Sequence, residues 1–227
     1  MGISAKPSGL SSLIDLVEPE SDDPRLRSKV ADVRDANAVV AAVDALAEAA
    51  AIKHVVALAG AVLPGESGLL KSEPSEAADL FSSSVQLNLV GQFNLLRASL
   101  PKLTAADGDR SVILCSSINA LAGYGAPAYS AAKAGLIGMM HALAGPLGRE
   151  GVRINVVAPG MIRTPATEAE AAASGNRKSF KRLAKQTHLG KVGAAAEVAT
   201  AIESLADRMP HVTDQVLRVD GGQLGAR

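Results

Sequence analysis

The strand-like Ser111-Val-Ile-Leu-Cys115, the helix-prone run from Ala128 to Arg149, and the strand-like Val152-Arg-Ile-Asn-Val-Val157 decide the architecture. The two flanking segments are short, continuous and rich in β-branched residues, as strands buried on both faces are. The middle segment is far longer than a strand. A strand, a helix and a strand in that order form a right-handed crossover unit, with the helix packed on a parallel pair.

The same alternation continues on both sides. Upstream, Arg27 to Ala31 reads as a strand ending near Asp32 and Asp35, and Ala36 to Ala51 as a helix with Val39, Val40, Val43 and Leu46 on one face. His54-Val-Val-Ala-Leu58 is a further strand closed by Ala59-Gly60. A loop with Pro64, Gly65 and Gly68 leads into a helix from Pro74 to Leu103. Downstream come a polar, helix-prone insert from Thr164 to Leu189, a helix from Ala195 to Arg208, and the strand Gln215-Val-Leu-Arg-Val219 before Asp220-Gly221-Gly222. This pattern predicts an α/β, Rossmann-like, doubly wound parallel sheet with helices on both faces.

The 227 residues suit one domain over 1–227, with room for a core that needs no staples. Lys+Arg and Asp+Glu both number 23, which removes the electrostatic case for a nucleic-acid or anionic-membrane partner. The single cysteine, Cys115, excludes an internal disulfide and fits a reducing compartment. Met1 to Leu10 has neither a basic start nor an apolar run, and Lys6 stands where a myristoylation motif after Gly2 wants Ser or Thr. No apolar run approaches the ~20 residues of a membrane span. The expectation is a soluble, cytoplasmic protein. His54, His141, His188 and His211 show no metal-ligand spacing, so no metal is expected.

The chemistry-bearing segment is Tyr129-Ser-Ala-Ala-Lys133, preceded by Ser116-Ser117 and, further upstream, Asn88. Tyr129 and Lys133 are four apart at a helix start and share one face. A free phenol ionises near pH 10, too high for proton transfer at neutral pH, and a nearby ammonium is expected to draw that value down. A serine hydroxyl at a strand end can hydrogen-bond a carbonyl or alcohol oxygen. Alone, Tyr-x-x-x-Lys equally describes a surface tyrosine and a solvated lysine.

The ordered series resembles the short-chain dehydrogenase/reductase superfamily, in its 3-oxoacyl-carrier-protein-reductase-like form, from about Val30 to Gly222. Ala31-Asp-Val33 looks like the motif whose acid faces the adenine, and Asn88-Leu-Val-Gly91 like the one whose asparagine maintains a water relay to the lysine. Leu114 to Lys133 resembles the serine strand and the tyrosine helix. Asn155-Val-Val-Ala-Pro-Gly160, with Ile162 and Thr164, resembles the stretch that holds the nicotinamide carboxamide, and Val212 to Gly222 the C-terminal strand. The resemblance implies an NAD(P)-dependent oxidoreductase acting on a secondary alcohol or its ketone. Tyr129 is then the general acid/base, Lys133 its tuner and the ribose ligand, Ser117 the group orienting the substrate oxygen, and Asn88 the relay residue. Asp32, Val33, Gly60, Tyr129, Lys133, Pro159, Gly160, Ile162 and Thr164 are the implied cofactor contacts. The family's usual thirteen-residue spacing to the tyrosine selects Ser116, whereas position as the second serine of the pair selects Ser117, which is preferred because a one-residue loop deletion costs little.

Two departures stand out. The family's first strand and its glycine-rich pyrophosphate turn have no counterpart; Gly2 and Gly9 lack both the spacing and a preceding strand. Residues 1–26 are atypical: Ser12 to Glu18 suits the second strand and Pro19 to Pro24 a polar linker. The strand His54 to Leu58 is then expected to have an open edge. Also, Ala57-Leu58-Ala59-Gly60 stands where the family has Asn-Asn-Ala-Gly. Asp15 or Glu18 at the end of the second strand leans the cofactor toward NAD over NADP. The alternative is a non-catalytic, truncated or degenerate relative serving as a scaffold or hetero-oligomer subunit.

Residues 164–190 occupy the place of a substrate lid. Arg177, Lys178, Lys181, Arg182 and Lys185 there suit an anionic substrate or, more simply, the solvated face of an amphipathic helix with Phe180, Leu183 and Ala184 inward. Tyr124 either lines the cleft or caps a turn, and Cys115 reads as buried filler. The resemblance implies a homodimer or homotetramer built on the long helices, where Ala131, Ala132, Ala134 and Gly135 permit close approach.

Overall fold

The computed structural model describes residues 11–15, 26–47, 51–173 and 180–223. Glu18, Pro19 to Pro24, Gly2, Gly9, Arg177 and Lys178 lie outside them. The main sheet is parallel in the order β3 (His54–Ala57), β4 (Arg110–Cys115), β5 (Val152–Pro159) and β8 (Val216–Val219). Strand neighbours in β4 bury on opposite faces, the period of two that a pleated strand imposes. Val112 and Leu114 pack with Leu96, Leu103, Leu136 and Met140 on one side. Ile113 and Val157 pack with Val198, Ile202 and Leu205 on the other. Helices therefore cover both faces, and the expected doubly wound fold is present.

The helices follow from the pattern. α1 (Ala36–Ala47) buries Val39, Ala42, Val43 and Leu46. Val40 is instead exposed, because 3.6-residue periodicity puts Ala42 on the face assigned to it. α2 (Pro74–Val85), a π turn at Gln86–Val90 and α3 (Gly91–Ala105) form the expected run to Leu103. The four-residue α4 (Asn119–Ala122) precedes α5 (Pro127–Arg149), whose proline at the first turn presets the helical φ. α6 (Pro165–Ala173) and α7 (Phe180–Ala184) occupy the insert, the two-residue pair β6 (Ile162–Arg163) and β7 (Gly193–Ala194) flanks it, and α8 (Ala195–Glu203) follows. In α7, Lys181 is exposed and Phe180, Leu183 and Ala184 half-buried, as an amphipathic helix requires.

The N-terminal strands β1 (Ser11–Asp15) and β2 (Leu26–Val30) pair in parallel with each other, apart from the main sheet. Among the described residues β3 pairs with β4 alone. Among the described residues, the β1–β2 pair and the four-stranded sheet are therefore separate sheets. Within α5, Ala131 and Ala134 are exposed while Ala132 is buried. Gly135 packs inward, since a Cβ there would come 2.9 Å from Leu89.

Candidate active site

Parallel strands end along one edge, so the loops after β3, β4, β5 and β8 converge there. Ser117 follows β4, and Tyr129 and Lys133 occupy the first two turns of α5. The Ser117 hydroxyl lies on the side of the Tyr129 phenol and acts to lower its pKa, while it accepts the Asn119 N–H at 3.2 Å. Ser116, one residue earlier, points the opposite way: it is buried and its Oγ donates to the Lys133 carbonyl at 2.7 Å. Of the pair, Ser117 is the serine that acts on the Tyr129 phenol, while Ser116 is engaged with the backbone of α5.

Burial pushes the Tyr129 phenol up to about 12; the Ser117 hydroxyl opposes this, and Cys115 and Glu66 add to it. Burial pushes the Lys133 ammonium down. The expected lowering of Tyr129 by Lys133 is not realised in this structure. Lys133 Nζ sits 5.6 Å from the tyrosine ring centre and donates to the Cys115 carbonyl at 2.8 Å. Its charge is directed at the strand end, and desolvation of the phenol dominates. The Cys115 thiol is raised by burial against the opposing field of Lys133.

Asn88 is fully buried in the π turn, a local widening that recurs at functional sites. Its Nδ2 donates to the carbonyls of Ala61 at 2.9 Å and Ser84 at 3.0 Å, and its Oδ1 accepts the Ala61 N–H at 2.9 Å. Gly60 lies against both Asn88 and Lys133: a Cβ there would be 2.5 Å from Asn88 Oδ1 and 2.7 Å from Lys133 Nζ. Two side chains far apart in sequence meet at one glycine.

The remaining predicted contacts divide in two. Pro159 accepts the Ile118 N–H at 3.0 Å and Gly160 donates to Val219 at 3.0 Å, which binds the stretch after β5 to the serine loop and to β8. Ile162 lies in β6 opposite Gly193, and the Thr164 N–H donates to Thr167 Oγ1 at 2.8 Å. Asp32 and Val33 follow β2 in the other sheet. Asp32 accepts from the Arg34 backbone N–H at 2.9 Å and from its guanidinium, and that hydrogen bonding holds its carboxyl below the usual range. The Val33 carbonyl accepts from Asn94 at 2.9 Å. Their hydrogen bonds run to Arg34 and Asn94 rather than to the tyrosine cluster.

Two site residues escaped the sequence reading. Gln92 is buried between the ends of β3 and β4, donating to Ala59 at 3.1 Å and Cys115 at 2.9 Å and accepting the Cys115 N–H at 3.1 Å. It supplies amide contacts where Ala57 and Leu58 cannot. Glu66 is wholly buried and its Oε2 accepts the Tyr129 N–H at 2.8 Å. The one available signal was Ala126, which precedes α5 and offers no capping side chain.

A family model described as Enoyl-(Acyl carrier protein) reductase matches residues 15–223. A crystal structure of an oxidoreductase of the short chain dehydrogenase/reductase family from Burkholderia thailandensis superposes with a TM-score of 0.76 and 34% identity, covering 88% of this chain and 74% of that one. The chain belongs to the short-chain dehydrogenase/reductase superfamily. Within that superfamily it is 32% identical over 223 residues to an uncharacterized oxidoreductase of Schizosaccharomyces pombe, spanning 93% of this chain and 80% of the relative. It is 39% identical over 141 residues to the 3-oxoacyl-[acyl-carrier-protein] reductase of Rattus norvegicus, 62% of this chain and 55% of that one. The match thus spans little more than half the length of the rat reductase. No helix among the described residues is long and apolar enough to cross a membrane, and those residues hold no His, Cys, Asp and Glu cluster suited to a metal.

Proposed function

We propose that this chain is an NAD(P)-dependent oxidoreductase that interconverts a secondary alcohol and its ketone, with Asn88, Ser117, Tyr129 and Lys133 as its site. The observation that carries the reading is Lys133 Nζ 5.6 Å from the Tyr129 ring on one helix face, with Asn88 and Lys133 meeting at Gly60 and Ser117 acting on the phenol. Ser117 orients the substrate oxygen, and Tyr129 gives it a proton in reduction or takes one in oxidation. A phenol raised to about 12 is protonated at neutral pH, the form that reduction needs, and efficient transfer requires that the Lys133 ammonium draw it back down once substrate and nucleotide are bound. A nicotinamide held beside Tyr129 and Lys133 would supply or accept the hydride at the attached carbon. Asn88 holds the loop at Ala61, and Lys133 would bind the nicotinamide ribose.

The side chains that would hold the nicotinamide and ribose half are Tyr129, Lys133 and Thr164, with the backbone of Gly60, Pro159, Gly160 and Ile162; Asp32 and Val33 would meet the adenine. For the pyrophosphate the sequence offers no glycine-rich turn. The lean toward NAD rests on Asp15, of which only the strand position is described, and on Glu18. Residues 164–190 serve as the substrate lid in this reading, and the protein works as a cytoplasmic homodimer or homotetramer of a single domain.

The absent pyrophosphate turn, together with a β3 paired on one side among the described residues, favours a second reading: a non-catalytic relative that scaffolds or joins a fuller homologue. Titration with NADH and NADPH, followed by nucleotide fluorescence, separates the two. The chain has no tryptophan, so the background is clean. Saturable binding, with turnover of a ketone panel that includes a 3-oxoacyl thioester and is lost in Tyr129→Phe, supports the enzyme. No binding by folded protein rejects it.

A further inference from the structure

We propose that Glu66 is the positioning residue for Tyr129: its buried carboxylate caps α5 from outside the helix and fixes the phenol against Ser117. The inference rests on the reading of Tyr129 as the acid/base group, and it identifies what sets that group's position.

α5 starts without a cap of its own. Ala126 has a left-handed φ of 48° and no side-chain oxygen, and Pro127 contributes no N–H. The first intrahelical hydrogen bond is from the Ser130 N–H to the Ala126 carbonyl at 2.9 Å, so the Tyr129 N–H is one of the orphan donors of a helix start. Glu66 Oε2 accepts that N–H at 2.8 Å across a separation of 63 residues. Glu66 Oε1 accepts the Leu63 N–H at 2.9 Å and the Ser84 hydroxyl at 2.8 Å. Ser84 in turn lies 3.3 Å from Asn88 Nδ2, so the chain of contacts runs from Tyr129 through Glu66 and Ser84 to Asn88.

Glu66 is 0% exposed and forms no ion pair among the described residues. A buried carboxylate is expensive unless its oxygens are occupied. Here three donors and the positive end of a long helix offset that cost. An amide cannot replace it. If the oxygen of glutamine faced Tyr129, its NH2 would oppose the Leu63 N–H; if the oxygen faced Leu63, its NH2 would oppose the Tyr129 N–H. Either orientation leaves one backbone donor unsatisfied, so only the carboxylate holds the 63–66 turn and the start of α5 together.

The test uses the full chain labelled with fluorotyrosine, whose two tyrosines are Tyr124 and Tyr129, so each gives a single fluorine resonance. In Glu66→Gln the Tyr129 resonance is expected to move or broaden while that of Tyr124 stays. In turnover assays kcat is expected to fall about 10- to 100-fold with KM changed by less than about 3-fold, since a misplacement near 1 Å costs up to about 100-fold in rate. An unmoved Tyr129 resonance in the folded variant overturns the proposal, as does an unchanged kcat. If Glu66→Gln does not fold, Ser84→Ala, which removes one donor and leaves the carboxylate, is read instead. A smaller shift of Tyr129 supports the proposal, and no shift overturns it. Absence of turnover in the parent chain defeats the functional reading alone, because the resonance still decides the role of Glu66.

Discussion

Lys133 gives its ammonium to the carbonyl oxygen of Cys115 at 2.8 Å, while the ring it was expected to tune stands 5.6 Å away. The partition of that charge decides how Tyr129 behaves. With the lysine directed at the strand end, burial governs the phenol, and the site holds a protonated tyrosine well past neutral pH.

The pH dependence follows from that. A phenol raised from 10.0 to about 12 favours the protonated folded state. The corresponding stability is fully present below pH 10 and is lost as pH rises through about 12. Alkaline unfolding followed by far-ultraviolet circular dichroism is therefore expected to start at higher pH in Tyr129→Phe than in the parent. Identical alkaline midpoints would contradict the buried phenol.

The two serines are expected to separate cleanly. Ser117→Ala removes the hydroxyl that acts on the phenol and should lower turnover about 100-fold or more at nearly unchanged stability. Ser116→Ala removes the hydrogen bond to the Lys133 carbonyl and should cost about 1 kcal/mol in denaturant unfolding with a much smaller loss of rate. The reverse ranking in steady-state assays would reassign the catalytic serine to Ser116.

Gly60→Ala tests the meeting point of Asn88 and Lys133. Its Cβ would stand 2.5 Å from Asn88 Oδ1, closer than packing permits, so Asn88 or the loop must move. The expected cost is about 1–3 kcal/mol, together with weakened nucleotide binding. A variant that matches the parent in both urea midpoint and NADH titration would show that the close approach is not needed.

Away from the site, the Arg153 guanidinium is buried, pairs with Asp109 through two nitrogens at 2.9 and 2.7 Å, and donates to the carbonyls of Leu205, Ala206 and Val212. Asp109→Asn should cost about 2 kcal/mol, less than a fully buried pair because Asp109 is 35% exposed. Hydrogen bonding to Arg153 holds the Asp109 carboxyl below 3.8. The stability it brings is present above that pH and lost as pH falls through the lowered value, so urea midpoints of parent and variant should converge in strong acid. A gap that persists there would mean the lost contact is not electrostatic.

Much of the architecture was legible because strands buried on both faces and long helices write themselves as continuous apolar runs and 3.6-residue stripes. Val112 and Ile113 show the limit: adjacent and equally apolar in sequence, they bury on opposite faces. Val40 was misread for a similar reason, since a valine one position off the stripe looks like a member of it until the helix is turned against its neighbours. An open edge was expected on the His54 strand, and among the described residues β3 pairs with β4 alone, while β1 and β2 pair with each other.

By itself the sequence determined the doubly wound parallel sheet, the order of its segments, and the pairing of Tyr129 with Lys133 on one helix face. These rest on local periodicity and on contacts four residues apart, which the chain encodes directly. Only the tertiary structure decided that Ser117 rather than Ser116 acts on the Tyr129 phenol, that Lys133 serves Cys115, and that Glu66 caps a helix 63 residues away. Each of these depends on how separate loops at one sheet edge converge and on which polar groups lose water there. Burial and hydrogen-bond partners of that kind are properties of the packed molecule, and no spacing in the sequence states them.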